Sequence, residues 1–287
     1  MIPTLDWLDT AMELARRDEP SILVTIAAAA GSSPREAGCR MLVHGGGIAG
    51  TIGGGHLELK AIERARKLLA SPASTAADEF TLSLGPSLGQ CCGGRVTLTL
   101  ERLDRAALPR LERMEVSGEP VFLFGAGHVG RALIHVLAPL PYRIHWFDGR
   151  DDAFPSDLPG NVKIETLADP RHDVASAPAG TYFLVMTHSH ALDLDICDRV
   201  LARGDFAFLG LIGSASKRAT FLSRLRRRGH ADATLARLTC PIGLPQVPGK
   251  QPAMIAVAVA GQLIALSAAL AAHRKATVPK ASGAEAE

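Results

Sequence analysis

A chain of 287 residues, 47% of them hydrophobic and 21% charged, is long enough for two buried cores and too apolar to remain unfolded. Its formal net charge of +2 excludes a general attraction to nucleic acid. Five cysteines, an odd number with two of them adjacent, exclude the disulfide framework of a small secreted protein and fit a reducing cytoplasm.

From the N-terminus, Leu5, Leu8, Met12 and Ala15 follow helical spacing, and the acids among these residues leave no apolar core for a signal peptide. SILVTIAA, residues 21 to 28, reads as a strand rich in β-branched side chains. GSSPREAG, residues 31 to 38, is then a loop in which Arg35 is available to an anion. RMLVHGGGIAGTI, residues 40 to 52, predicts two short strands around a turn at Gly45 to Gly47. Gly53, Gly54 and Gly55 follow and open the helical pattern HLELKAIERARKLLA. Two readings of this triplet stand side by side: a helix N-terminus whose free N–H groups suit phosphate, or a tight turn alone.

EFTLSL, residues 79 to 84, and RVTLTLE, residues 95 to 101, alternate as strands do, and GPSLGQCCGG, residues 85 to 94, connects them. A connection of this length between strands is longer than a hairpin needs and is often functional. Adjacent Cys91 and Cys92 disfavour a structural zinc site, which wants spaced pairs, and closing a disulfide between neighbours strains the peptide between them. What remains is a soft thiolate able to touch a soft metal or to carry persulfide sulfur near Arg95, with Gly93 and Gly94 giving close access; the bland alternative is two small residues filling a turn. A short helix follows, and SGEP, residues 117 to 120, reads as a linker, which divides the chain into a domain over 1 to 118 and a second over 119 to 272. KATVPKASGAEAE is low in apolar residues, and 273 to 287 are predicted to be a disordered tail.

The second half announces its fold more clearly. VFLFGAGHVGRALIHVLAPL, residues 121 to 140, is an apolar strand, then Gly125, Gly127 and Gly130 in G-x-G-x-x-G spacing, then a helix. RIHWFDGRDD ends a second strand in Asp148, at the position expected to meet ribose hydroxyls. Strands at TYFLVMTH, residues 181 to 188, and FAFLGLIG, residues 206 to 213, alternate with helical stretches, which predicts a parallel sheet covered on both faces. The fold class is therefore α/β: an N-terminal α/β domain followed by a Rossmann-type parallel-sheet domain. Ligands in such sheets lie beyond the carboxyl ends of the strands, where THSHALD and GLIGSASKR fall. His188, His190 and Asp193 are expected to line that crevice as hydrogen-bonding groups rather than to ligate a metal, and Gly213, Ser214 and Lys217 read equally as an anion cradle or a structural helix cap. Cys197 reads as an inert core thiol, and the basic run at Arg224, Arg226, Arg227 and Arg228 as a solvated face. AMIAVAVAGQLIALSAALA, residues 253 to 271, is long enough to span a bilayer, but its alanine content and the absence of a second span favour a buried helix and no membrane.

GSSPREAG, GTIGGGHLE, GPSLGQCCGG, FGAGHVG with WFDGR, THSH, GLIGS and CPIGL, in this order from about residue 8 to about residue 270, resemble the xanthine dehydrogenase accessory proteins of the XdhC/CoxI family. The resemblance implies a cytoplasmic, homodimeric chaperone without turnover of its own. It would take the molybdenum cofactor from cofactor-biosynthesis proteins and present it to a cysteine desulfurase for exchange of an oxo for a sulfido ligand. Insertion into apo xanthine dehydrogenase would follow. It further implies Cys92 as the thiol that meets the metal or carries the sulfur. The competing reading is an NAD-dependent oxidoreductase with a reactive cysteine, in which a nucleotide sits on Gly125 to Gly130; such an enzyme turns over by itself, whereas a chaperone acts only when an apo-enzyme is supplied.

Overall fold

The computed structural model describes residues 6–33, 35–72, 77–84, 94–115, 118–166 and 169–277. Its contacts divide the chain between Gly118 and Glu119 into two compact units.

In the first unit, β1 (Ser21–Ala30), β2 (Arg40–His44), β3 (Gly47–Gly50), β4 (Ala77–Ser83) and β5 (Arg95–Leu103) form one antiparallel sheet in the order β3-β2-β1-β5-β4. Side chains alternate across a strand, so Ile22, Val24 and Ile26 face α2 (Gly55–Ala70) through Leu57, Ala61 and Ala65. Leu23 faces the other way, into a cluster with Leu8, Ala11 and Met12 of α1 (Asp6–Arg16) and Leu111 of α3 (Leu108–Glu115). With both faces covered, the first four residues of β1 are all buried. That is why Ile22, Leu23 and Val24 follow one another as an apolar run instead of alternating with polar residues. The register also explains an overhang: β1 pairs with β2 only as far as Thr25↔Arg40, yet continues along β5 to Ala30↔Arg95.

In the second unit, β6 (Glu119–Phe124), β7 (Tyr142–Asp148), β8 (Val162–Thr166), β9 (Tyr182–Val185), β10 (Phe208–Leu211) and β11 (Leu238–Thr239) form a parallel sheet in the order β11-β10-β9-β6-β7-β8. α4 (His128–Leu137) and α9 (Pro252–Thr277) cover one face through Leu133, Ile134, Val259 and Leu263 against Leu123, Ile144, Trp146 and Leu184. On the other face, α5 (Pro170–Ser176), α6 (His190–Arg203), α7 (Ala215–Arg227) and α8 (Asp232–Leu235) pack on Phe122, Phe124, Phe147, Phe183 and Val185. The chain leaves β6 toward β7 and β8 and returns on the opposite side at β9, which makes the β6–β9 junction the switch point of the sheet.

Four features depart from the sequence pattern, the first being that 273 to 277, expected in a disordered tail, continue α9 as far as Thr277, while 278 to 287 lie outside the described residues. Glu119 and Pro120, expected in a linker, are the first residues of β6; pairing with β9 starts only at Val121↔Tyr182, so the missing N–H of Pro120 interrupts no bond to that strand. β8 and β11 escape a hydrophobic-period reading because β8 buries a single residue and β11 is only two residues long. The helix expected to be buried, α9, is covered on one face only. Its stretch Pro252–His273 is long and apolar enough to cross a bilayer, yet Ala256, Val259, Ala260 and Leu263 pack into the sheet's core while Val257 and Ile264 stay about half exposed, at 53% and 49%.

Candidate functional site

Three of the sequence motifs meet at one end of the first sheet. The loop 31 to 38 leaves from Ala30 and returns through Gly38, whose N–H donates to the Ile26 carbonyl at 2.8 Å, to Cys39, whose carbonyl accepts from Ile26 N–H at 2.9 Å. β3 ends beside the start of β2, at Gly50↔Met41, and leads directly into the glycine triplet. Cys91, Cys92 and Gly93 lie outside the described residues, but both ends of their loop are fixed at this same edge. Leu84 N–H donates to the Gly94 carbonyl at 2.7 Å, and Arg95 pairs with Ser83 on one side and with Ala30 on the other.

Gly94 itself is a packing residue. A Cβ there would stand 2.4 Å from the Ser32 carbonyl oxygen and 2.6 Å from that of Ala30, so only glycine lets the exit of the cysteine loop lie against the loop at 31 to 33. Ala29, Gly31, Ser32, Ser33, Arg35 and Glu36 line an open groove of about 520 Å³. Ala27 to Ala30, the overhang of β1, are exposed along it. Arg35 and Arg95 are both exposed, and neither guanidinium has an ion-pair partner among the described residues.

The glycine triplet is not an open cradle. Gly53, Gly54 and Gly55 have φ of 117°, 72° and 65°, a backbone that side chains other than glycine resist. Three N–H groups of this turn, those of Ile52, Gly53 and Gly54, are answered from within the chain. Glu58 Oε2 accepts from Gly54 N–H at 3.0 Å, from Ile52 N–H at 3.1 Å and from the Thr51 hydroxyl, and Gly53 N–H donates to Thr51 Oγ1 at 3.1 Å. A carboxylate already stands where a phosphate was expected, at the positive end of α2. These bonds favour the turn reading. Glu58 was missed from sequence, although an acid in the first turn after a glycine run is the signal that the chain supplies its own anion.

In the second unit, the sequence-named residues gather at the carboxyl edge of the parallel sheet. Gly125, with φ of 115°, lies so close to β9 that a Cβ would meet the Met186 carbonyl oxygen at 2.3 Å; a Cβ on Gly130 would meet the Gly125 oxygen at 2.1 Å. Asp148 is buried. Burial raises its carboxyl, and the Arg150 guanidinium with the Ala126 and Arg150 N–H groups outweighs that and holds it below the usual carboxylate range. His188 and His190 are exposed at the start of α6. Asp193 does not line the crevice. It is fully buried, accepts from Thr187 N–H at 3.0 Å and Thr187 Oγ1 at 2.7 Å, and pairs with Lys217 Nζ at 2.7 Å. Lys217 is thereby taken from the proposed anion cradle. Gly213 leaves room for the Lys217 side chain, and Ser214 Oγ accepts from Lys217 N–H at 3.2 Å, which makes this pair a helix cap. Cys197 and Cys240 are buried, and burial pushes both thiols up, away from the reactive thiolate form. Among the described residues, no three His, Cys, Asp or Glu side chains are grouped to hold a metal ion.

Comparison with known proteins fixes the relationship. Residues 14–80 match the model of the XdhC and CoxI family, and residues 121–263 match that of the XdhC Rossmann domain. The chain belongs to the XdhC and CoxI family. It is 28% identical over 259 residues to the uncharacterized protein YqeB of Escherichia coli, an alignment that covers 88% of this chain and 45% of that protein, so the chain spans less than half the length of this relative. A Bacillus halodurans crystal structure described as a xanthine dehydrogenase superposes with a TM-score of 0.74 at 19% identity, over 96% of this chain and 98% of that one. At that identity the likeness is one of fold. The matched segments of the XdhC family take in the loop at 31 to 38, the glycine triplet, Asp148 and the THSH turn, and they leave the cysteine loop between them.

Proposed function

We propose that this chain is a chaperone of the molybdenum cofactor for an enzyme of the xanthine dehydrogenase type. It receives the cofactor from the biosynthetic proteins and holds it while a cysteine desulfurase supplies the sulfur that replaces an oxo ligand. It then inserts the cofactor into the apo-enzyme. The observation that carries this reading is the convergence of the 31 to 38 loop, both ends of the cysteine loop, and Arg35 and Arg95 at one end of one sheet.

Each part of the cargo finds a chemical counterpart there. Arg35 and Arg95, exposed and without an ion-pair partner among the described residues, would hold the terminal phosphate, a task for which a planar fork of N–H donors is suited. The Ala27 to Ala30 overhang, which carries a bulge between Ile26 and Ala28, offers small exposed side chains to a ring system. The thiol of Cys92, with Cys91 beside it, meets the metal or carries sulfur, since a thiolate is the soft ligand that molybdenum and sulfur chemistry both take. The triplet Gly53 to Gly55 shapes the rim, with Glu58 and not the cargo on its amides. In this reading the protein works in the cytoplasm as a homodimer and has no turnover of its own.

The test is anaerobic loading of the purified protein with molybdenum cofactor, followed by assay of bound molybdenum and pterin and of transfer to apo xanthine dehydrogenase. Cys92→Ala is expected to lose bound molybdenum, and the double variant Arg35→Ala, Arg95→Ala to lose both metal and pterin. Undiminished molybdenum in Cys92→Ala would remove that thiol from the mechanism. Steady-state turnover with NAD by the chain alone would replace the chaperone with the oxidoreductase.

A further inference from the structure

The acid that completes the glycine fingerprint is already engaged. Asp148 Oδ2 accepts from Ala126 N–H at 2.7 Å and from Arg150 Nη2 at 3.1 Å; Oδ1 accepts from Arg150 N–H at 3.1 Å and from Arg150 Nε at 2.9 Å. A carboxylate has about four lone-pair directions, and all of them meet an N–H donor here. A ribose diol needs an acid that accepts from its hydroxyls. To bind one, this Asp148 would have to release Arg150 or unhook the Ala126 amide from the glycine loop.

Arg150 presents the opposite chemistry. Its side chain is 53% exposed, and of the five N–H donors of a guanidinium it spends one from Nε and one from Nη2 on Asp148. Three remain, both of those on Nη1 among them. The other described acid in its field is Asp152, an exposed side chain two residues along. The glycine loop in front is open. Gly127 has an ordinary backbone, φ −74° and ψ −170°, and nothing lies within 4 Å of where its Cβ would be. Neither strain nor packing within the chain asks for glycine at that position, in contrast to Gly125 and Gly130.

We infer that the second unit binds a nucleotide bearing a phosphate monoester on its adenosine ribose, and that Arg150 is the residue that selects it over the free diol. A phosphate brings acceptors to the outward donors of Arg150 and asks for none from the saturated Asp148, whereas a diol asks for acceptors that are occupied. The Asp148 charge, neutralised by its bidentate partner, does not repel the incoming anion. This inference stands apart from the cofactor reading of the first unit.

The experiment is calorimetric titration of the full chain with NADP against NAD and with adenosine 2′,5′-bisphosphate against 5′-AMP, with inorganic phosphate as a control. The phosphorylated member of each pair is expected to bind about tenfold tighter or more, the range of charge-assisted hydrogen bonds. Arg150→Ala should bring the pair to within about twofold, the size of effect left when such bonds are lost, without weakening NAD or 5′-AMP. If that variant does not fold, Arg150→Lys, which keeps the charge and loses the fork, is expected to retain only part of the preference. Equal or tighter binding of NAD, failure of either nucleotide to bind, or a preference that survives Arg150→Ala would each overturn the inference. Inorganic phosphate binding as tightly as the bisphosphate would also do so, because the site would then be an anion site with no nucleotide specificity.

Discussion

Asp193 lies wholly out of solvent beneath the THSH turn, and Lys217, with 10% of its side chain exposed, answers it from the start of α7 while donating also to the Ile212 carbonyl at 2.9 Å. The pair ties the turn after β9 to the turn after β10. Removing one partner of a buried pair strands the other charge, at a cost of about 3–5 kcal/mol, whereas replacing both with apolar residues is often near neutral. Lys217→Met is therefore expected to lower the urea midpoint of the second unit sharply. Lys217→Met combined with Asp193→Leu should recover most of the loss, and a double variant as unstable as the single one would show that the pair is not what holds the turns. From sequence, the two residues fell into different motifs, one a crevice residue and the other part of an anion cradle. Their partnership depends on β9 and β10 being neighbours in the sheet, which no local spacing of residues states.

At the scale of the element, α9 separates propensity from placement. Its alanine-rich, uncharged run predicts a helix by composition alone, and a helix forms over Pro252–Thr277. The predicted burial holds for one face only, because the helix packs on a flank of the sheet beside α4 and is not enclosed. Leu263 and Ile264 are adjacent in sequence, with side-chain surroundings that differ fully: one is 0% exposed and the other 49%. Leu263→Ala should cost about 2–5 kcal/mol by leaving a cavity, and Ile264→Ala less than about 1 kcal/mol. Chemical denaturation of the two variants checks this, and equal losses would mean that the exposed face is covered in solution. The glycine triplet makes the same point in miniature. Its turn was legible, since three glycines before a helical pattern have few other uses. The identity of the anion at its amides was not, since Glu58 reaches them through a backbone geometry that only the folded turn creates.

For the whole molecule, the balance of buried and partly buried carboxylates sets the response to pH. Burial raises Asp198 and Glu165, and their partners outweigh it: His230 and Arg228 hold Asp198 low, and His145 and Lys163 hold Glu165 low. Asp148 is held low as well. A carboxyl whose folded pKa lies below its unfolded value, about 4, contributes its full stability above that pH and loses it as the pH falls through the folded value. Asp173 works in the opposite sense. It is 9% exposed, its Oδ2 has no hydrogen-bond partner among the described residues, and burial pushes its carboxyl up, with Glu165 and Asp169 adding to the effect against His172. Its stabilising form is the protonated one, so its contribution is full below the unfolded value, about 4, and is lost as the pH rises from there through its folded pKa. Asp173→Asn is expected to raise stability at pH 7 by about 1 kcal/mol, the cost of an unanswered buried polar group, and to give no gain near pH 3, where the wild-type carboxyl is already protonated. Urea titrations at the two pH values check it; a gain that does not depend on pH would assign the effect to packing.

What the sequence by itself determined about this protein is local or periodic. Strand alternation, helical period, turns that demand positive φ, the fingerprint glycines and the ordered motifs that resemble one family all depend on neighbours within a few residues, and the backbone imposes those preferences before any tertiary contact forms. What only the tertiary structure decided is which separate segments share an edge and which charges meet there. The loop at 31 to 38 and the ends of the cysteine loop come together because β1 overruns β2 and pairs with β5 as far as Arg95. Asp148 meets the Ala126 amide, and Asp193 meets Lys217, because parallel strands end side by side. Hydrogen bonds and ion pairs act over a few ångströms of space regardless of separation along the chain, so their partners are assigned only when the sheets have formed.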